Sequence, residues 1–433
     1  MNTVVIVCGG VGSRLTSAGI LTPKSLLKIG SDTLIYSQIN NFYKFGIFNF
    51  YFVLGNGAAD IISHLKVIHS QFPNANFEYI TDKKFRGTAG SILENLESLP
   101  EKFFVLYGDI YINIDIPNIL SRLNIDFDFV FIYRPTDHPF DSNLLRIDEN
   151  GKVLEILEKG QFNQETDSRK ANVGLMICNK RVFMEKLEIT NSQIDLERDV
   201  VAKNFNGLSI FGLKLIGYAR DIGTIERLNR TKSDIKLGID SISKSGIVFL
   251  DRDGTINRDI GFFSKPHDFE FLPGAIEAIK LLNLSNFFTV VVTNQSAIAR
   301  NISSYVEVLE IHDHINRELS TSEAYIDNFY FCPHHPDIGY PEENTDFKRK
   351  CKCRKPNPGM IFNALLDYEI NPESCWLVGD SLRDIEAANR VNVRSILISH
   401  DLGINKVDNN FDFLYHRSDN LLSSVKGILN DNF

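Results

Sequence analysis

The sequence predicts an α/β protein of two doubly wound, Rossmann-like domains, on three observations. Short apolar runs alternate with amphipathic stretches of helical length, the pattern of strand–helix–strand units. Several of those runs end in acidic or glycine-rich residues, where open α/β sheets hold their ligands. The chain's 433 residues exceed what one ordinary core carries, which favours two or three domains.

Composition narrows the class. A hydrophobic share of 43% with 23% charged residues is that of a globular protein in water. The net charge of −9 disfavours nucleic acid as a partner, so any phosphate site must gather positive charge locally. No apolar run reaches about eighteen residues and no charged-then-apolar leader is visible, so no membrane partner is expected and the cytoplasm is the default.

The elements follow in order. Residues 1–241 form the first expected domain, a largely parallel sheet with strands at Thr3–Cys8, 50–54, 103–107 and 130–133 and helices at 34–45, 58–70 and 224–237. The polar stretch from Gly238 to Gly246 marks a boundary near Ser243, and residues 246–433 form the second domain. Its strands are expected at 247–250, 289–292, 325–331, 375–378 and 395–398, and its helices at 274–284, 305–319, 359–367 and 382–391.

In the first domain, strand Thr3–Cys8 runs into Gly9-Gly10-Val11-Gly12-Ser13-Arg14. Glycines let backbone N–H groups approach a polyphosphate, and Arg14 adds a cation; a tight turn is the plain alternative. The spacing fits neither the dinucleotide fingerprint nor the Walker loop. Pro23-Lys24, Arg86-Gly87-Thr88-Ala89-Gly90, Gly108-Asp109, Glu158-Lys159, Asn172-Val173-Gly174, Asp195 to Asp199 and Asp221-Ile222-Gly223-Thr224 follow. This ordered set resembles the sugar-1-phosphate nucleotidylyltransferases. The resemblance implies that Gly9, Gly10, Gly12 and Ser13 wrap a nucleoside triphosphate, with Arg14 and Lys24 on its phosphates and Gly87, Thr88 and Gly90 near base and ribose. Asp109 and Asp221 would hold Mg²⁺, Lys159 the sugar phosphate, and Glu158, Asn172 and Gly174 the sugar. The attacking phosphate oxygen is already anionic, so charge neutralisation and alignment should carry the rate. Gly160 stands where the family often has proline.

In the second domain, Asp251 and Asp253 lie one residue apart at a strand end, a pairing that allows one carboxylate to attack phosphorus and the other to move protons. Alone, Asp-x-Asp could equally be a turn. Thr293-Asn294 at the next strand tip offers donors to a phosphoryl oxygen, and Arg354-Lys355 and Gly379-Asp380-Ser381-Leu382-Arg383-Asp384 follow. Together these resemble the haloacid dehalogenase superfamily of phosphatases. The resemblance implies Asp251 as nucleophile, Asp253 as general acid and base, and Thr293 and Lys355 on the phosphoryl oxygens. Mg²⁺ would sit among the Asp251 carboxylate, the Asp253 carbonyl and Asp380, with Asp384 orienting the site. Cys332, His334, Cys351 and Cys353 have the donor types and spacing of a closed structural Zn²⁺ site, with His335 as the alternative imidazole. This loop would position Arg354 and Lys355 over the substrate. Cys8, Cys178 and Cys375 read as core residues.

Zinc-loop members of that superfamily are chiefly heptose bisphosphate and histidinol phosphatases, and Cys332 to Pro336 and Cys353 to Pro356 look most like the heptose enzymes. Ala297 and Ser381 depart from the usual glycine and lysine. Removal of one phosphate from a heptose 1,7-bisphosphate leaves a sugar 1-phosphate, which the first domain should activate; this logic favours D-glycero-α-D-manno-heptose and GTP. Residues Leu196 to Asp199 also resemble heptose guanylyltransferases. The expectation is a bifunctional enzyme of GDP-heptose synthesis, with a homo-oligomer allowed. The alternatives are a mannose- or glucose-type nucleotidylyltransferase fused to another phosphatase, and a regulatory binding protein without turnover.

Overall fold

The computed structural model describes residues 1–9, 15, 17, 19–81, 86–123, 125–163, 167–183, 193–261, 265–337, 339, 343–398 and 415–431. The chain divides into two compact units, Met1–Ser241 and Ile242–Phe433. Among the described residues no helix is long and apolar enough to cross a membrane.

The first unit is built on strand Thr3–Cys8, buried along its whole length. Its side chains alternate between two cores: Val4, Ile6 and Cys8 join one cluster, Val5 and Val7 the other. A strand covered on both faces needs no polar alternation, which is why the run is continuously apolar. Asn49–Leu54 and Lys102–Tyr107 flank it in parallel, and Asn76–Thr81 extends the parallel set. Beyond Lys102–Tyr107 the sheet changes direction. Lys170–Asn179 runs antiparallel to it and to Phe129–Pro135, and Leu144–Ile147 with Val153–Leu157 completes that edge. The sheet is therefore mixed, where the apolar runs alone suggested a largely parallel one. The difference lies in Lys170–Asn179, which pairs antiparallel with both Lys102–Tyr107 and Phe129–Pro135, a pairing that needs no crossover helix. A second ladder, Ile110–Ile114 with Gly217–Asp221, sets Asp221 opposite Ile110.

The second unit holds six parallel strands in the spatial order Asn328–Cys332, Phe287–Asn294, Gly246–Leu250, Trp376–Gly379, Arg394–Ile398, His416–Ser418. The chain leaves Gly246–Leu250 toward one edge and returns to its other side at Trp376–Gly379. That reversal opens a crevice at the strands' carboxyl ends, the position where such sheets bind ligands.

Candidate active sites

Asp251 follows Gly246–Leu250 directly and Asp380 follows Trp376–Gly379, so the reversal brings their carboxylates to one crevice. With Asp384 they form a group whose ligand oxygens lie within 4.8 Å of one another. Gly254, at φ +80°, makes room for this: a Cβ there would stand 2.0 Å from Asp380 Oδ2. The Lys355 ammonium is 3% exposed and lies 2.8 Å from Asp251 Oδ1 and 2.6 Å from Asp384 Oδ1, donating also to the Val292 carbonyl at 2.8 Å. Burial alone would lower the pKa of Lys355, and the two carboxylates more than reverse that. Burial, reinforced by Asp384, pushes Asp251 up to about 7 despite Lys355. Asp380 is raised too, by burial and then by Asp384. An all-oxygen set of crowded carboxylates, one of them exposed, suits a hard divalent cation such as Mg²⁺.

Asp253 is not part of that group. Its Oδ1 accepts from Arg252 Nε at 3.0 Å and Asn257 Nδ2 at 3.0 Å, and its Oδ2 from Gln295 Nε2 at 2.9 Å. Gln295 also donates to the Thr293 hydroxyl at 2.9 Å, leaving the hydroxyl proton to donate elsewhere. Asn294 is placed differently from the expected substrate contact: its amide accepts from Lys355 N–H at 3.0 Å and donates to the Lys355 carbonyl at 3.1 Å. It clamps the lysine's backbone.

Beside this crevice the thiols of Cys332, Cys351 and Cys353 and Nδ1 of His334 converge. Sulfur separations are 3.1 to 3.5 Å, and Nδ1 lies 3.3 Å from Cys353 Sγ and 3.5 Å from Cys332 Sγ. Ligands held tetrahedrally about 2.3 Å from a zinc ion stand roughly 3.8 Å apart, so the cluster has the composition and nearly the dimensions of a closed metal site. His335 is engaged elsewhere, accepting from Asp337 N–H at 3.2 Å. Arg354 donates to the His334 carbonyl at 3.1 Å, tying the cluster to the segment that carries Lys355.

The first unit encloses a cavity of about 580 Å³. Thr88, Lys159, Asn172, Gly174 and Asp221 line it. Glu158 does not: it is exposed, and its N–H donates to the Gln161 side chain at 3.2 Å. Asp109 and Asp221 meet through the backbone, Ile222 N–H donating to the Asp109 carbonyl at 2.9 Å. Their carboxylates each hold a cation: Lys24 lies 2.8 Å from Asp109 and Arg227 2.7 Å from Asp221. Asp221 lines the polar cavity and Asp109 does not; a pair of carboxylates is the donor type that suits Mg²⁺. Gly87 and Gly90 serve close packing, since a Cβ would stand 2.3 Å from the Ile194 carbonyl oxygen and 2.5 Å from Arg86 Cβ, respectively. Thr88 Oγ1 accepts from Leu196 N–H at 2.8 Å. Gly9 follows strand Thr3–Cys8 directly, and Gly10, Gly12, Ser13 and Arg14 lie outside the described residues.

Sequence reasoning missed several cavity residues. Glu197 accepts from the Tyr107 hydroxyl and from Asn172 Nδ2, both at 3.0 Å. Burial raises its pKa against those hydrogen bonds. It lay within the segment quoted above, without a role. Arg134 and Arg220 also line the cavity; no motif marks them, and only their positions at the ends of apolar strands could have drawn notice.

Two α/β units, each with acids at strand ends facing cations, define an enzyme of phosphate chemistry with two sites. A nucleotidyl transferase family model matches residues 3–236 and a HAD-hydrolase-like model residues 352–414. The chain is 39% identical to the D-glycero-beta-D-manno-heptose-1,7-bisphosphate 7-phosphatase of Photorhabdus laumondii over 34% of this chain and 76% of that protein. It is 41% identical to the Escherichia coli K12 protein of the same name, over 34% and 74%. Among solved structures, HddC from Yersinia pseudotuberculosis is 24% identical, covering 54% of this chain and all of that one with a TM-score of 0.46. The chain belongs to the nucleotidyl transferase family through its first unit and to the family of heptose-bisphosphate 7-phosphatases through its second. It is a bifunctional enzyme, nucleotidyltransferase and phosphatase.

Proposed function

We propose that the second unit removes the 7-phosphate of D-glycero-α-D-manno-heptose 1,7-bisphosphate and that the first transfers GMP from GTP to the resulting 1-phosphate, releasing pyrophosphate in the cytoplasm. The observation that carries this reading is the union, in one chain, of a heptose-bisphosphate phosphatase relative with a nucleotidyl transferase unit. The product of the one has the chemistry of a substrate for the other.

In the second unit the Asp251 carboxylate attacks phosphorus, the bond from phosphorus to the sugar oxygen breaks, and Asp253 protonates that oxygen. Asp253 then takes a proton from the water that attacks the aspartyl phosphate, which frees phosphate and restores Asp251. Thr293 donates to the phosphoryl group and Lys355 offsets its charge. Asp251, Asp380 and the Asp253 carbonyl would hold Mg²⁺, with Asp384 beside them; the ion would screen the approach of carboxylate to phosphate dianion. Cys332, His334, Cys351 and Cys353 would hold Zn²⁺ as a structural ion. In the first unit Lys24, with Arg14, neutralises the triphosphate, Lys159 binds the sugar phosphate, and Asp109 and Asp221 would hold Mg²⁺. The sugar-phosphate oxygen attacks the α-phosphorus and pyrophosphate leaves.

GTP and the α anomer rest on the resemblance of Leu196 to Asp199 to heptose guanylyltransferases and on the order of the two reactions. The relatives' names carry the β anomer, so the test uses both. Purified protein is given each anomer of the bisphosphate, or mannose 1-phosphate, with each nucleoside triphosphate, and products are separated by mass. GDP-heptose from the α anomer is expected; a GDP-hexose made from mannose 1-phosphate, with no heptose product, defeats the proposal.

A further inference from the structure

One end of the first unit's cavity is formed by Arg134, Asp137, His138 and Arg220, none of which the reaction above employs. Arg220 is 7% exposed, and its Nε donates to the Tyr218 hydroxyl at 3.1 Å, which donates in turn to Asp234 at 2.6 Å. The guanidinium is thereby fixed from behind. Burial lowers the pKa of Arg134, and the neighbouring charge of Arg220 lowers it further. Asp137 lies 3.7 Å from His138 and 4.0 Å from Arg230. Burial would raise its pKa, yet His138, Arg220, Arg134 and Arg230 hold it well below the usual carboxylate range.

Three guanidiniums and an imidazole thus act on one carboxylate, and two of the three, Arg134 and Arg220, line the cavity with it. Desolvated like charges repel, and an incoming anion relieves the repulsion. The chain carries a net charge of −9, so this concentration of positive charge is local. Arg134 also acts on Asp221, which places the patch beside a residue expected at the reaction centre. Planar guanidinium forks suit a phosphate, to which each can donate two parallel hydrogen bonds.

We infer that Arg134 and Arg220 form a subsite for a phosphate monoester dianion carried by the sugar. This rests on the reading of the first unit as a transferase acting on a sugar phosphate, and adds two binding residues to it. Steady-state kinetics of nucleotide transfer test it with Arg134→Gln and Arg220→Gln in the full chain. KM for heptose 1-phosphate should rise about tenfold to a hundredfold, as expected for a lost charged hydrogen bond, with little change in KM for GTP. Arg220→Lys should recover only part of the loss, because it keeps the charge without the fork; it and Arg134→Lys carry the test if a glutamine variant fails to fold.

The bisphosphate, offered as acceptor in an Asp251→Asn background, identifies which phosphate is read. A loss shared by both substrates assigns the 1-phosphate, and a loss confined to the bisphosphate assigns the distal one. Unchanged KM for both substrates in folded variants overturns the inference. A wild-type chain that transfers nucleotide to no sugar phosphate overturns the underlying reading and this subsite with it.

Discussion

The two units place their chemistry differently. In the second, acids and lysine stand on adjacent strand ends and loops of one parallel sheet, and Lys355 already touches two of the carboxylates. In the first, the cavity wall draws on Thr88, Arg134, Lys159, Asn172, Glu197 and Arg220, from strands of both directions, helix Gly87–Glu94, a turn and a π-helical turn at Leu196–Ala202. A parallel sheet with one reversal point concentrates chemistry where the chain returns. A mixed sheet spreads it over a surface.

This contrast makes predictions of decreasing size. Removing the nucleophile should be nearly absolute: Asp251→Asn is expected to lower phosphate release by about 10³-fold or more, measured as inorganic phosphate from the bisphosphate. Persistent release would break the view of a concentrated site. Loosening the thiol cluster should cost less, because it acts through position. Cys353→Ser is expected to lower bound zinc below about one ion per chain and phosphatase activity about tenfold to a hundredfold, read by elemental analysis beside the phosphate assay.

In the first unit, Glu197 should make stability depend on pH. Its folded pKa is raised, so its contribution is fully present below the usual carboxylate range, about 4.3, and is lost as pH rises through the folded value. Denaturant titrations across pH should show Glu197→Gln gaining on the wild type as pH rises; an unchanging difference would place this carboxyl outside the desolvated wall. Smallest of all, Glu158→Ala should alter KM for the sugar phosphate less than about twofold, since surface substitutions away from a site are close to neutral.

The same contrast explains what could be read from the sequence. Asp251, Thr293, Lys355 and Asp380 stand at the ends of recognisable apolar strands, and a short motif announces each. The part of Asp384 was less legible: its capping of helix Leu382–Asn389 is a local property, but its 2.6 Å approach to Lys355 is a tertiary one. The clamp of Asn294 on the Lys355 backbone joins residues 61 positions apart, so no local motif announces it. Strand Lys170–Asn179 escaped notice because its glycine and polar residues at Asn172 and Gly174 interrupt the apolar run, where the pairing with Phe129–Pro135 also shifts register. Arg134 and Arg220 become neighbours only when two separate strand ladders fold, so no linear spacing encodes them.

The Lys355 ammonium donates to the Val292 carbonyl and forms ion pairs with Asp251 and Asp384. Asp384 is also gripped by the Ser381 N–H and Val292 is strand backbone, whereas Asp251, with 13% of its side chain open, is the most accessible of the three. Val292 and Asp384 therefore hold the ammonium in place independently of Asp251, the most open of its three partners.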